Sequence, residues 1–332
     1  MSLPVQIIRP DSMLAIARHR YGSPACIEVK HLPIPTPRRN EVLVRVRAVS
    51  LNASDWEALT GSPAYVRIFG LFRPRFQVLG SDLAGVVEAV GPDVIAFQVG
   101  DQVLGDAMGV WGTLAEYACV RESMLVRKPE SLAFEVAATL PQSGVIALQG
   151  IVQQTQVIQG ARVLINGGGG GAGCFSIQLA KRAGAHVTAV DSHEKMPLMR
   201  ELGADEVLDY RETDFADGQP KYDLILDLVA SRSLFQVRRS LRPRGRYLIV
   251  GGSVVTLLKT LVLGSLLSLF SRRKLALLAI DTRASQLSQV AKLCVDGHLR
   301  PHVERTYALR DAAEALEHQG GGKTLGKVVV VI

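Results

Sequence analysis

Seven consecutive residues, Gly167-Gly168-Gly169-Gly170-Gly171-Ala172-Gly173, constrain this chain more than any other segment. They follow the apolar run 161–165 and precede an amphipathic stretch, so the pattern Gly168-x-Gly170-x-x-Gly173 falls between a strand and a helix. A glycine run elsewhere is a flexible linker; here it makes a tight turn whose backbone N–H groups, including those of Gly171 and Ala172, approach a pyrophosphate. The helix that begins near Gly173 adds its N-terminal dipole, and a side chain at Gly170 would occupy dinucleotide space. The next strand, 186–190, ends in Asp191, 18 residues beyond Gly173, where a carboxylate accepts from both ribose hydroxyls. Such a carboxylate repels a 2′-phosphate and favours NAD(H) over NADP(H). Ser192 adjoins it, and His193, Lys195 and Arg200 follow closely enough to neutralise a phosphate.

Around this loop the chain divides in two, as its 332 residues require of a single-core limit. Up to about Arg127 the runs are short and strand-like, with Val42, Val44 and Val46 alternating with Leu43, Arg45 and Arg47. Turn signals at Gly80, Gly85, Gly91-Pro92, Gly100-Asp101 and Gly105 suit a β-rich barrel. Beyond Pro129 a long helical stretch, 133–158, leads into strands at 161–165, 186–190, 206–208, 224–228 and 247–250, alternating with helices in the manner of a doubly wound parallel sheet. A further strand is expected at 274–280, a helix at 285–295 and a closing strand at 327–332. The most apolar run, 254–270, is too short and too interrupted to span a membrane; it reads as a helix buried against the sheet or a partner subunit, with membrane-surface contact as the second reading.

Composition excludes more than it assigns. A net charge of +7 could suggest nucleic acid, but the basic residues are scattered among acids, so no nucleic-acid partner is expected. Cys26, Cys119, Cys174 and Cys294 have no metal-ligand spacing and read as thiols of a reducing cytoplasm; the N-terminus shows no signal-peptide pattern. Gly322-Lys323-Thr324 has Glu317 where a phosphate-binding P-loop needs its leading glycine, and is read as a turn.

Several stretches together resemble the medium-chain dehydrogenase/reductase superfamily, in its zinc-independent quinone oxidoreductase-like branch. They are residues 40–46, 50–56, 78–85 and 99–103, the glycine loop, Leu202-Gly203-Ala204-Asp205, Asp209-Tyr210 and residues 326–331. The fold that the resemblance implies is α/β: a GroES-like β-barrel catalytic domain over 1–135, a Rossmann domain over 136–283, and a return to the catalytic domain over 284–332. It implies a dinucleotide in the cleft between them, with Asn52 directing its amide toward the nicotinamide or substrate carbonyl, Tyr210 beside the adenosine, and Val229, Gly251 and Gly252 lining the groove. It also implies a homodimer through the Rossmann edge.

Zinc alcohol dehydrogenases of this superfamily carry a cysteine within the segment matching 52–55 and a histidine where Ser81 stands. Neither is present, so no metal is expected. Loss of a Lewis acid suits hydride transfer to an already electrophilic acceptor, a quinone or an α,β-unsaturated carbonyl. A zinc-free alcohol or aldehyde dehydrogenase is the alternative enzyme reading, and a non-catalytic dinucleotide-binding redox sensor the alternative outside enzymes. Ile146 replaces a threonine that in the family bonds the nicotinamide edge; either a neighbour such as Gln142 or Ser143 supplies that contact, or cofactor positioning is looser and activity lower. Trp56, Tyr65 and Phe69 are candidate walls of the small-molecule substrate pocket, Tyr65 and Phe69 equally candidates for barrel core. No histidine is nominated as a base.

Overall fold

The computed structural model describes residues 11–155, 157–217, 219, 221–269, 271–281 and 283–332, without the side chains of Phe69 and Leu269. The first half is built from strands β1 (Ser12–Arg18), β2 (Ile27–Pro33), β3 (Glu41–Ser50), β4 (Asp82–Val90), β5 (Gln102–Asp106), β6 (Tyr117–Arg121) and β7 (Leu125–Arg127), with one helix, α1 (Ala53–Thr60). The strand β3 has the expected alternation at Arg45 and Arg47, which are exposed between buried valines. Leu43 departs from it, because β3 is covered on both faces near its start and the register shifts between Leu43 and Val44.

Helices α2 (Phe134–Ala138) and α3 (Pro141–Leu148) carry the chain across; Pro141, at the first turn of α3, divides the stretch expected to be one helix. There follow β8 (Arg162–Asn166), α4 (Gly171–Arg182), β9 (His186–Asp191), α5 (Met196–Glu201), β10 (Glu206–Asp209), β11 (Tyr222–Asp227), α6 (Leu234–Ser240), β12 (Leu241–Ile249), α7 (Val254–Lys259), α8 (Ser265–Leu269) and β13 (Lys274–Leu277). Their six strands are all parallel, in the order β10-β9-β8-β11-β12-β13, so the order reverses beside β8 and opens a crevice at its carboxyl end. Buried Asp227 ties the central strands there: it accepts from Asn166 Nδ2 at 2.7 Å and from the Tyr247 hydroxyl at 2.9 Å.

The last elements are α9 (Ala284–Val295), β14 (Val303–Ala308), α10 (Ala312–Gly320) and β15 (Lys327–Val331). The strand β15 lies between β14 and β3, so the end of the chain completes the seven-stranded barrel sheet begun by its first third. It also touches the glycine loop, where Gly326 N–H donates to the Gly169 carbonyl at 2.8 Å. Gly326 has a φ of 73°, and an added Cβ would lie 2.5 Å from the His302 carbonyl oxygen, so only glycine makes this approach.

The apolar run 254–270 is helical across its described residues, with a π-helical turn at Thr260–Gly264 joining α7 to α8. It is not buried all round. Gly264 packs on the Leu275 carbonyl of β13, while Val255, Leu258, Leu261 and Val262 face outward. No helix among the described residues is long and apolar enough to cross a membrane.

Candidate active site

The crevice at the end of β8 is one side of a cavity of about 680 Å³ whose other side is the barrel. Gly167 opens the turn with a φ of 87°, and Gly170 caps α4, which begins at Gly171, two residues earlier than the sequence suggests. Gly168 and Gly173 support the turn without reaching the cavity. A Cβ on Gly173 would meet the Gly167 carbonyl at 2.1 Å, and one on Gly168 the Met199 sulfur at 2.8 Å. Gly170, Gly171 and Ala172 line the cavity. A Cβ on Gly170 would meet nothing closer than the Gly167 carbonyl at 3.6 Å, so a side chain there projects into space that the sequence reserves for a dinucleotide.

At the end of β9, Asp191 Oδ2 accepts from Gly169 N–H at 3.0 Å and Oδ1 from Ser192 N–H at 2.9 Å. Buried Lys195 donates to the Gly322 carbonyl at 2.8 Å and places Nζ 3.4 Å from Asp191 Oδ1, so the acid and the cation lie side by side in the cavity wall. Gly322 belongs to the turn after α10, as read from sequence, and has a φ of 69°. Ser192 reaches Asp191 only through its backbone; Tyr210 is half-exposed, with its N–H on the Asp191 carbonyl at 3.2 Å. Val229, Gly251 and Gly252 line the cavity.

At the other end the barrel contributes a buried polar cluster. Asn52 precedes α1, and its amide is spent inside the protein: Nδ2 donates to Asp82 Oδ2 at 2.9 Å, while Oδ1 accepts from Lys327 Nζ at 2.5 Å. Asn52 is the N-cap residue of α1, and Asp55 accepts from its N–H at 2.8 Å. Lys327 also donates to Ser143 Oγ at 3.2 Å and stands 3.9 Å from Asp82 Oδ2. Its stem rests on the start of α4, where a Cβ on Gly171 would meet Lys327 Cδ at 2.5 Å. A lysine 3% exposed thus joins the helix N-terminus to Asn52 in one cavity wall.

In the sequence Lys327 stands out only as the one charge heading the otherwise apolar closing strand, with nothing to name its partners. Ser143 joins the cluster, whereas Gln142 gives its N–H to Asp82 Oδ1 at 3.2 Å and accepts from Ser54 Oγ at 3.0 Å. Ile146 lines the cavity as an apolar wall.

Burial controls the charges here. It pushes the Asp55 carboxyl up to about 7 and the Asp106 carboxyl to about 6. Burial and then the charge of Asp106 hold Asp82 well above the carboxylate range. Burial also lowers Lys327, against the opposing pull of Asp82, Asp55 and Asp106. Of the three candidate substrate walls, Tyr65 lines the cavity and donates its hydroxyl to Glu57 Oε2 at 3.1 Å. Trp56 does not: its indole packs against α10, 2.1 Å from where a Cβ on Gly320 would sit. The side chain of Phe69 lies outside the described residues.

Known proteins match this architecture. Residues 38–130 match the alcohol dehydrogenase GroES-like domain, and residues 202–330 the zinc-binding dehydrogenase family. A chloroplastic quinone oxidoreductase of Triphysaria versicolor is 31% identical, over 96% of this chain and 98% of its own. The solved quinone oxidoreductase of Coxiella burnetii has a TM-score of 0.87 at 30% identity, covering 97% of this chain and 99% of its own. A mycobacterial protein solved with NADPH has a TM-score of 0.83 at 27% identity, covering 97% and 100%. The chain belongs to the medium-chain dehydrogenase/reductase superfamily, in the branch of the quinone oxidoreductases.

The elevated Asp55 carboxyl has a measurable consequence. Between its ordinary 3.8 and about 7 the folded chain holds a proton that the unfolded chain releases, so this group makes stability fall as pH rises through that window. The slope is at most about 1.4 kcal/mol per pH unit. Replacement of Asp55 by Asn removes it, so the melting temperature of Asp55→Asn relative to the native chain should rise between about pH 4 and about pH 7. A difference independent of pH would contradict the assignment.

Proposed function

We propose that this protein transfers a hydride from NADH or NADPH to a quinone or an α,β-unsaturated carbonyl, without zinc. The observation that carries the reading is that the open helix N-terminus at Gly170–Gly171 and the buried Asn52–Lys327 pair face one cavity. The first is built for a pyrophosphate, and the second for a developing oxyanion. The dinucleotide supplies the hydride; Gly170, Gly171, Ala172 and Asp191 would hold it. Asn52 and Ser143 fix the Lys327 ammonium, whose remaining N–H capacity polarises the acceptor carbonyl and supplies its proton.

Zinc does not suit the residues present. Asn52 and Ser81, 3.5 Å apart, offer only neutral oxygens and an amide nitrogen, and the Lys327 ammonium already occupies the neighbouring space. An unactivated alcohol or aldehyde is therefore the weaker substrate reading. The edge position of β13 fits a homodimer through the Rossmann sheet, and four free thiols fit a reducing compartment such as the cytoplasm. Asp191 favours NAD(H), with Lys195 beside it moderating the preference.

Steady-state oxidation of NADH and NADPH with a small quinone tests the activity. Lys327→Met should lower kcat by at least about a hundredfold while leaving the dinucleotide dissociation constant unchanged. A loss confined to dinucleotide affinity would place Lys327 on the cofactor instead. Gly170→Val, with a φ of −84° that any residue adopts, should keep the melting temperature and abolish dinucleotide binding. Retained affinity would remove the loop from the site. Lys195→Ala should raise the NADH-to-NADPH ratio of kcat/KM by about tenfold, the value of one charge-assisted contact; an unmoved ratio would exclude Lys195 from cofactor selection.

A further inference from the structure

A second cavity, of about 450 Å³, lies in the barrel half beside the cleft. The two share Ser54, Glu57, Tyr65 and Met108 as a common wall. Beyond that wall the lining is mainly apolar, with Ala58 of α1, Val78, Leu79 and Trp111 among it. One lining residue does not fit an apolar core. Arg18, at the end of β1, is 4% exposed, and no carboxylate among the described residues pairs with it.

Arg18 has a partial structural role. One of its amino nitrogens donates to the Ala58 carbonyl and, at 2.9 Å, to the Leu59 carbonyl, closing the C-terminal end of α1, and the guanidinium stacks 5.1 Å from the Tyr21 ring. Those bonds use one nitrogen only, and buried Nε has no acceptor. Burial lowers its pKa to about 10, still far above neutrality, so the group is a cation with no counter-charge. An unpaired buried charge is costly and is ordinarily matched by an anion. The acid in the cavity lining, Glu57, is in the common wall and bonds Tyr65 rather than Arg18. Arg75 adds a second cation to the lining.

We propose that this second cavity binds an apolar chain ended by a carboxylate, the distal part of an acceptor whose conjugated carbonyl is in the cleft. The carboxylate pairs with Arg18, the chain fills the apolar space, and the common wall passes it to the cleft. The inference rests on the hydride-acceptor reading for its substrate, but not for its binding site.

Trp111 lines the cavity and Trp56, the other tryptophan, does not, so intrinsic fluorescence reports occupancy without turnover. Quenching by ω-bromododecanoate should be saturable and lost in Trp111→Phe, with ω-bromododecanol binding about tenfold more weakly, as one charge-assisted contact provides. Arg18→Met should erase the preference for acid over alcohol, Arg18→Lys should retain it, and Val78→Phe should weaken both ligands alike. If Arg18→Met fails to fold, the native acid-to-alcohol ratio still decides. Absence of saturable quenching would overturn the site, and equal affinity for acid and alcohol would overturn the role of Arg18. For turnover, a long-chain enone ended by a carboxylate should show a kcat/KM about tenfold above that of its methyl ester; equal values would overturn the link to the cleft. Reduction of a small quinone by a protein that ignores the bromo acid would leave the proposed function standing and remove this inference; binding of the bromo acid without reduction of any acceptor would do the reverse.

Discussion

The Gly326 N–H donates to the Gly169 carbonyl, and through this contact the last strand of the chain meets the loop that opens its parallel sheet. The barrel and the parallel sheet, whose apolar cores join through Ala48, Ala84, Leu104, Val126 and Val329, are thereby held in register on either side of the cleft. Gly326 allows it by taking a left-handed conformation against the His302 carbonyl, and the next residue, Lys327, is thereby laid along the first turn of α4. The geometry of the cleft follows: the helix N-terminus, the buried ammonium and Asn52 form one continuous wall.

That wall is also an electrostatic arrangement. Two buried carboxyls, on Asp55 and Asp82, and the half-buried Asp106 act on the buried Lys327 ammonium, and desolvation raises all three acids while lowering the lysine. A divalent metal at this place would supply positive charge without a proton; an ammonium supplies both, which suits acceptors whose conjugation already spreads the developing negative charge.

Much of this was legible in the sequence, and for identifiable reasons. The glycine loop and Asp191 sit in a local strand–turn–helix whose chemistry depends on neighbours in the chain, and both are where their spacing put them. The substitutions at Asn52 and Ser81 could be read in the same way. Lys327 could not, because its partners Asn52 and Ser143 are 275 and 184 residues away and only the closing of the barrel brings them together. Trp56 was misplaced for a similar reason: the glycine that receives it, Gly320, is on a helix formed near the end of the chain. The run 254–270 showed its helical character by composition, but which of its faces packs depends on the edge strand β13 beside it.

The most direct test of hydride transfer in this cleft is the fate of the label when nicotinamide dinucleotide deuterated at the transferring carbon is incubated with the protein and a simple enone. The account predicts deuterium on the β-carbon of the saturated ketone, with a proton from solvent at the α-carbon. Unlabelled product, or oxidation of the dinucleotide without reduction of the enone, would contradict it.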